Sequence, residues 1–217
     1  MDANLSESLE SSCVAPATLP NQSFVFSLDA PDIEGILEHD LLDLYYEFFH
    51  SAHPCTLPRR FLVHRLVDSE LHLLVKVIYY IGSLFAPPAR ATGRQDAIKS
   101  ALNDFQYGVR APNGFDVQAV LLYSIAVYWQ NDPNAGAALL EQSVHMAITL
   151  GMHLKEFAVS HSQGDAVVEE SLRRTWWQIF ITDVHIAGSA HTFSFRTCGV
   201  DMTVDLPCEE NEYEAGV

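Results

Sequence analysis

Apolar residues recur along this chain every three or four positions, the period of an α-helix, and not every second one as in a strand. From Ile33 to Ser51, the residues Ile33, Leu37, Leu41, Leu44, Tyr45, Phe48 and Phe49 gather on one side. Pro54 and Pro58 end that run, because proline lacks the N–H that a helix interior needs. The next stretch, DSELHLLVKVIYYIGSLF, predicts a helix with Asp68 or Ser69 as N-cap and a stripe of Leu71, Leu74, Val75, Ile78 and Ile81. Pro87 and Pro88 stop it, and a weaker helix follows from Arg94 to Val109, with Ile98, Leu102 and Phe105 on one face. Asp116 is the expected cap of a fourth helix, which is apolar nearly all round and so belongs in the middle of the fold. A fifth begins at Asp132, with Pro133 in the first helical position, and ends at Gly151, where a left-handed residue is wanted. A sixth is capped by Asp165 and runs from Ala166 to about Ala187.

This pattern predicts an all-α protein, an irregular bundle of about six helices built from antiparallel helical hairpins. Residues 1–31, rich in Ser, Pro, Asn and acids, read as a flexible leader. Residues 32–190 form the helical domain, and 191–217 read as a loose acidic tail of that same domain. The fourth and fifth helices are joined by a short turn, and Ala135, Gly136, Ala137 and Ala138 allow a close helix–helix approach. That hairpin is similar to one tetratricopeptide unit, but no second copy recurs at a fixed period.

Charge narrows the function. The 217 residues hold 28 acids against 12 bases, a net charge of −16, so the chain should repel nucleic acid and anionic membrane. Its four cysteines, Cys13, Cys55, Cys198 and Cys208, form no CxxC pair, so no structural zinc site is expected, and the 48% apolar fraction argues against a disulfide framework. The cysteine usage suggests a reducing compartment, cytosol or nucleus. The acidic start MDANLSESLESS lacks the basic and apolar regions of a secretory signal.

Candidate chemistry is sparse. His50 and His53 could share a helix face, but Pro54 puts the second at a fraying end and no third ligand is placed beside them. His145 and His153 flank the Gly151 stop as surface and turn residues. Ser160, His161, Ser162 and Asp165 are close in sequence, yet Asp165 is better explained as a helix cap than as part of a nucleophile–base pair. No GxSxG, GxGxxG or Walker pattern occurs, and the run Cys208-Glu209-Glu210-Asn211-Glu212 reads as solvated. The expectation is therefore no catalytic, cofactor-binding or metal-binding residue.

The sixth helix carries the most informative residues. In SLRRTWWQIFITDVHIAG, Leu172, Trp176, Ile179, Asp183 and Ile186 fall on one line, and Trp177, Phe180 and Val184 on a second beside it. Asp183 then sits at the core face and needs an arginine, a backbone N–H or a tyrosine hydroxyl as partner, most simply as a structural lock. Arg173 and Arg174 are placed to clamp acids elsewhere in the chain, or a small anion.

EESLRRTWWQIFITDVHIAG resembles the signature helix of the fungal-specific transcription factor domain, the middle homology region of zinc binuclear cluster regulators. LLDLYYEFFHSAHPCTLPRRFL, VQAVLLYSIAVYWQNDPNAGAALLEQSVHMAITLGMHLKE and VDMTVDLPCEENEYEAG agree with it in order and spacing. Arg173, Arg174, Trp176, Trp177, Asp183, Gly151, Leu206 and Pro207 match the family pattern as architectural marks. The resemblance implies a nuclear, non-catalytic regulatory region that acts through protein partners, such as a full-length transcription factor, on metabolic or secondary-metabolite genes. The family's zinc sits in an N-terminal six-cysteine cluster, which this sequence does not contain, so the chain looks like a regulatory domain cut at both ends or a shortened gene product. The rival expectation is an all-α small-molecule-binding or tailoring protein with a cavity lined by Trp129, His145, Trp176 and Asp183. A third is a degenerate fragment.

Overall fold

Helix α5, Gly114–Trp129, shows how the apolar pattern becomes structure. Every side chain from Val117 to Tyr123 is buried, as an all-round apolar helix requires. Its cap differs from the expected one. Asn113 is the N-cap and Asp116 the third helical residue, each side chain accepting the other's backbone N–H at 2.9 Å. Asp116 is fully buried and also takes both Arg110 contacts, at 2.6 and 2.7 Å.

The computed structural model describes residues 38–87, 93–106, 110–192 and 194–217. Among them are nine α-helices and no strand: α1 Glu38–Phe48, α2 Arg59–Leu62, α3 His72–Leu84, α4 Arg94–Gln106, α5, α6 Pro133–Leu150, α7 Lys155–His161, α8 Ala166–Ser189 and α9 Glu210–Ala215. Short 3₁₀ turns lie at His50–Ala52, Val63–Arg65 and Ser69–Leu71. The fold is all-α as expected. The helix count is higher because α2, α7 and α9 have only 4, 7 and 6 residues, too few to carry a periodic stripe. The expected leader, residues 32–37, Val109 and the side chain of Phe105 lie outside the described residues.

The α6 ends are as the sequence predicts. Asp132 accepts the Ala135 N–H at 3.0 Å, Pro133 opens the helix, and Gly151 closes it at φ 83°. Asp165 caps α8 by accepting from Val167 and Val168. The N-cap of α3 is instead Leu71, with no side-chain bond, because the turn Ser69–Leu71 precedes the helix. Phe48, expected in the core, is half-exposed, and Leu42 takes the buried position.

The helices pack by close backbone approach. α5 and α6 form an antiparallel pair with the most extensive contact among the described helices, joined through Asn131 at φ 74°. A Cβ on Gly136 would stand 2.7 Å from the Tyr128 Cα. α1 and α3 cross in the same way, where a Cβ on Gly82 would stand 2.0 Å from the Leu41 carbonyl oxygen.

The segment expected to be a loose tail is packed. Thr203 and Val204 donate their N–H groups to the His153 carbonyl at 3.0 and 3.2 Å, and Tyr213 of α9 is fully buried. Its charged residues are mostly acidic, but one aromatic residue at the right position anchors it.

Gly82→Ala and Gly136→Ala should each lower unfolding free energy by about 1–3 kcal/mol, the cost of overpacking against backbone. Gly188→Ala, whose added Cβ meets nothing within 4 Å, should be neutral or mildly stabilising. Urea denaturation of the three variants checks this.

Candidate functional site: a polar clamp and the cleft beside it

The site is built on α8. Its first line, Leu172, Trp176, Ile179, Asp183 and Ile186, is buried throughout. The second line is less enclosed: Trp177 packs half-buried against the core, Phe180 is half-buried and Val184 exposed. Another face carries Ser171, Thr175, Gln178 and Thr182, all buried and polar. This face meets the non-helical segment His53–Leu57.

That segment is buried from Cys55 to Leu57, and its carbonyls are satisfied by side chains from four helices. Arg174 donates to the Pro54 carbonyl at 3.2 Å. Gln118 of α5 and Ser171 both donate to the Cys55 carbonyl at 2.8 Å. Tyr213 of α9 donates to the Thr56 carbonyl at 3.0 Å, and Tyr46 of α1 to the Leu57 carbonyl at 2.5 Å. Burial pushes the Cys55 thiol up to about 12, so it stays protonated and is a poor nucleophile.

Arg174 is the centre of a charged clamp. Its Nε donates to Glu170 at 2.9 Å, its Nη1 to Glu210 and its Nη2 to the Cys208 carbonyl at 2.9 Å. Its guanidinium also lies over the Tyr213 ring, 4.2 Å from the centroid. Burial alone would lower the Arg174 pKa, but its bonds to Glu210 and Glu170 hold it above its ordinary value. Glu170 is fully buried and accepts in addition from Arg173 and from the Cys208 N–H, the latter at 2.9 Å. Arg173 reaches Glu169 at 2.7 Å. Both arginines thus clamp acids of this chain. The i, i+4 spacing of Glu170 and Arg174 could have revealed the pair in the sequence, whereas Glu210 could not be placed without the fold.

A second lock holds the other half of α8. Buried Asp183 accepts the Thr197 N–H at 2.7 Å, the Thr197 hydroxyl at 3.0 Å and Arg196 at 3.2 Å. Two of the partner types expected for it, an arginine and a backbone N–H, are present.

Between these locks opens a cleft of about 440 Å³. Trp129, Trp177, Ile181 and Ile186 supply apolar walls, and Arg174 and Gln178 supply polar groups. Gln178 approaches His53 Nδ1 at 3.2 Å, and burial, then the charge of nearby His185, lowers the His53 pKa. Pro207 lies at the rim. Of the four residues expected to line a cavity, only Trp129 does so. His145 is exposed on α6, while Trp176 and Asp183 are enclosed in the core. Trp177 donates its indole N–H to the Asp205 carbonyl at 2.9 Å.

Within residues 159–165, Ser160 Oγ lies 3.0 Å from His161 Nδ1. Ser160 and His161 end α7 and both bond the Phe157 carbonyl, and Asp165 is spent on the α8 cap and on Arg65. His53, expected at a fraying end, is the residue that closes the His50–Ala52 turn, and His50 is buried within that turn. Burial, then the charge of Arg174, pushes its pKa down to about 4.

Residues 42–216 match the fungal specific transcription factor domain, and the chain belongs to that family. It is 32% identical over 178 residues to the C6 finger domain transcription factor iacK of Pestalotiopsis fici. The alignment covers 81% of this chain and 26% of that protein, so the chain spans about a quarter of its relative. No solved structure matches.

Arg174→Ala removes one of the two arginines on buried Glu170 together with the bonds to Glu210, Cys208 and Pro54, and should cost about 3–5 kcal/mol. Arg173→Ala, which removes the bonds to Glu169 and to buried Glu170 but leaves Arg174 in place, should cost less, about 1–2 kcal/mol. Equal losses in chemical denaturation would show that the charge is shared and not centred on Arg174.

Proposed function

We propose that this chain is the regulatory, non-DNA-binding portion of a fungal transcription factor and acts in the nucleus through protein partners, a full-length transcription factor among them. The observation that carries this reading is the domain match over residues 42–216, joined to a relative that is a C6 finger transcription factor. The net charge of −16 agrees with contacts to protein in preference to a phosphate backbone. The polar groups of α8 are engaged in holding helices together, which favours an architectural role for the signature residues over a catalytic one. Control of metabolic or secondary-metabolite genes is part of the same proposal.

The cleft favours a second reading within this role, the sensing of an apolar small molecule. Its volume of about 440 Å³ lies in the range of ligand sites, and it combines aromatic walls with a few convergent polar groups.

Fusion to a heterologous DNA-binding domain should change reporter output in a fungal host at least severalfold, up or down. Unchanged output in both directions would count against the transcriptional role. For the sensing role, native mass spectrometry of protein purified from a fungal host should show a retained small molecule, and a bare-chain mass would argue against it.

A further inference from the structure

From the meeting of α1, the Pro54–Leu57 segment and α9, we infer a zinc site formed by His50, Glu210 and Glu214. A ring nitrogen of His50 and one carboxylate oxygen from each glutamate lie within 4.8 Å of one another. The imidazole is oriented as a metal-binding histidine is. Its Nδ1 is held at 3.0 Å by Thr56 Oγ1, which leaves Nε2 for the ion. His50 is only 6% exposed, and its buried Nε2 has no hydrogen-bond partner among the described residues. An orphaned buried nitrogen is costly unless something fills its coordination.

The carboxylates reach this point because of how α9 is anchored. Glu210 and Glu214 are four residues apart, on one face of the helix. Tyr213 between them fixes the helix by donating to the Thr56 carbonyl at 3.0 Å, on the same residue that orients His50. One nitrogen and two carboxylate oxygens suit zinc, with water as the fourth ligand. Tetrahedral zinc needs ligand atoms about 3.4 Å apart, given bonds of about 2.0–2.2 Å, and small rotations of two exposed glutamates supply that closure. Arg174 lies nearby and its charge is felt at His50, but Glu170, Glu210 and Glu214 set three carboxylates against it, and it engages Glu210 through Oε2. The inference stands apart from the transcriptional reading. An ion here would pin α9 to the turn after α1.

The test is a zinc titration of the chelator-treated full chain against a chromophoric competitor, with melting temperature recorded in parallel. One equivalent of zinc should bind and raise the melting temperature. Glu214→Gln, an exposed substitution that leaves the core intact, should weaken binding about tenfold or more, as should His50→Gln. Unchanged affinity in Glu214→Gln, or no response of the wild-type chain to zinc, would overturn the site. So would binding that depends on Cys198 and Cys208 in place of Glu214.

Discussion

A stretch of backbone without regular structure lies inside this protein, and its carbonyls must be satisfied there. Helices bond their own polar groups, but the segment from Pro54 to Leu57 cannot, and burying it bare would cost several kcal/mol. The answer is that α1, α5, α8 and α9 each contribute a side chain to it: Tyr46, Gln118, Arg174 with Ser171, and Tyr213. Elements far apart in sequence are therefore positioned by one short strip of chain. The apolar contacts supply most of the drive to fold, but they are tolerant of rotation and sliding. Directional bonds to fixed carbonyls are not, and they set the register of α8 and α9.

α8 joins this strip to the rest of the protein. Near its middle, Arg174 gathers Glu170, Glu210 and two carbonyls; two turns on, Asp183 gathers Thr197 and Arg196. The helix is thus held on its polar side as well as by Trp176 and Ile179 on its apolar side. Trp177, next in sequence to a fully enclosed tryptophan, points to a different environment and lines the cleft. Adjacent residues about 100° apart on a helix can serve such different ends, one in the core and one at a surface opening.

The long helices were legible because each repeats its period several times and carries recognisable caps. Asp132, Pro133, Gly151 and Asp165 took the roles that the sequence suggested. Short elements were not: α9 is a six-residue helix in an acidic stretch, and only the burial of Tyr213 gives it a place. Burial of Asp183 on the core face dictates the kind of partner but not its identity, since Arg196 and Thr197 lie in a segment without a helical period. The second line of α8 is apolar by spacing but is not enclosed by a neighbouring helix: Trp177 lines the cleft, Phe180 lies half-buried against Phe195, and Val184 is exposed. The helical period carries no sign of the burial of His50, whose imidazole is enclosed in the turn after α1 only by the fold.

The bond from Tyr213 to Thr56 spans 157 positions. During synthesis the ribosome delivers Thr56 long before its donor, so the strip must wait, partly wetted, until α9 emerges. Hairpins such as α5–α6 can form early, from local contacts alone. Closure of the centre is a late event, and a nascent chain stalled before α9 would hold its helices around an interior that still admits water.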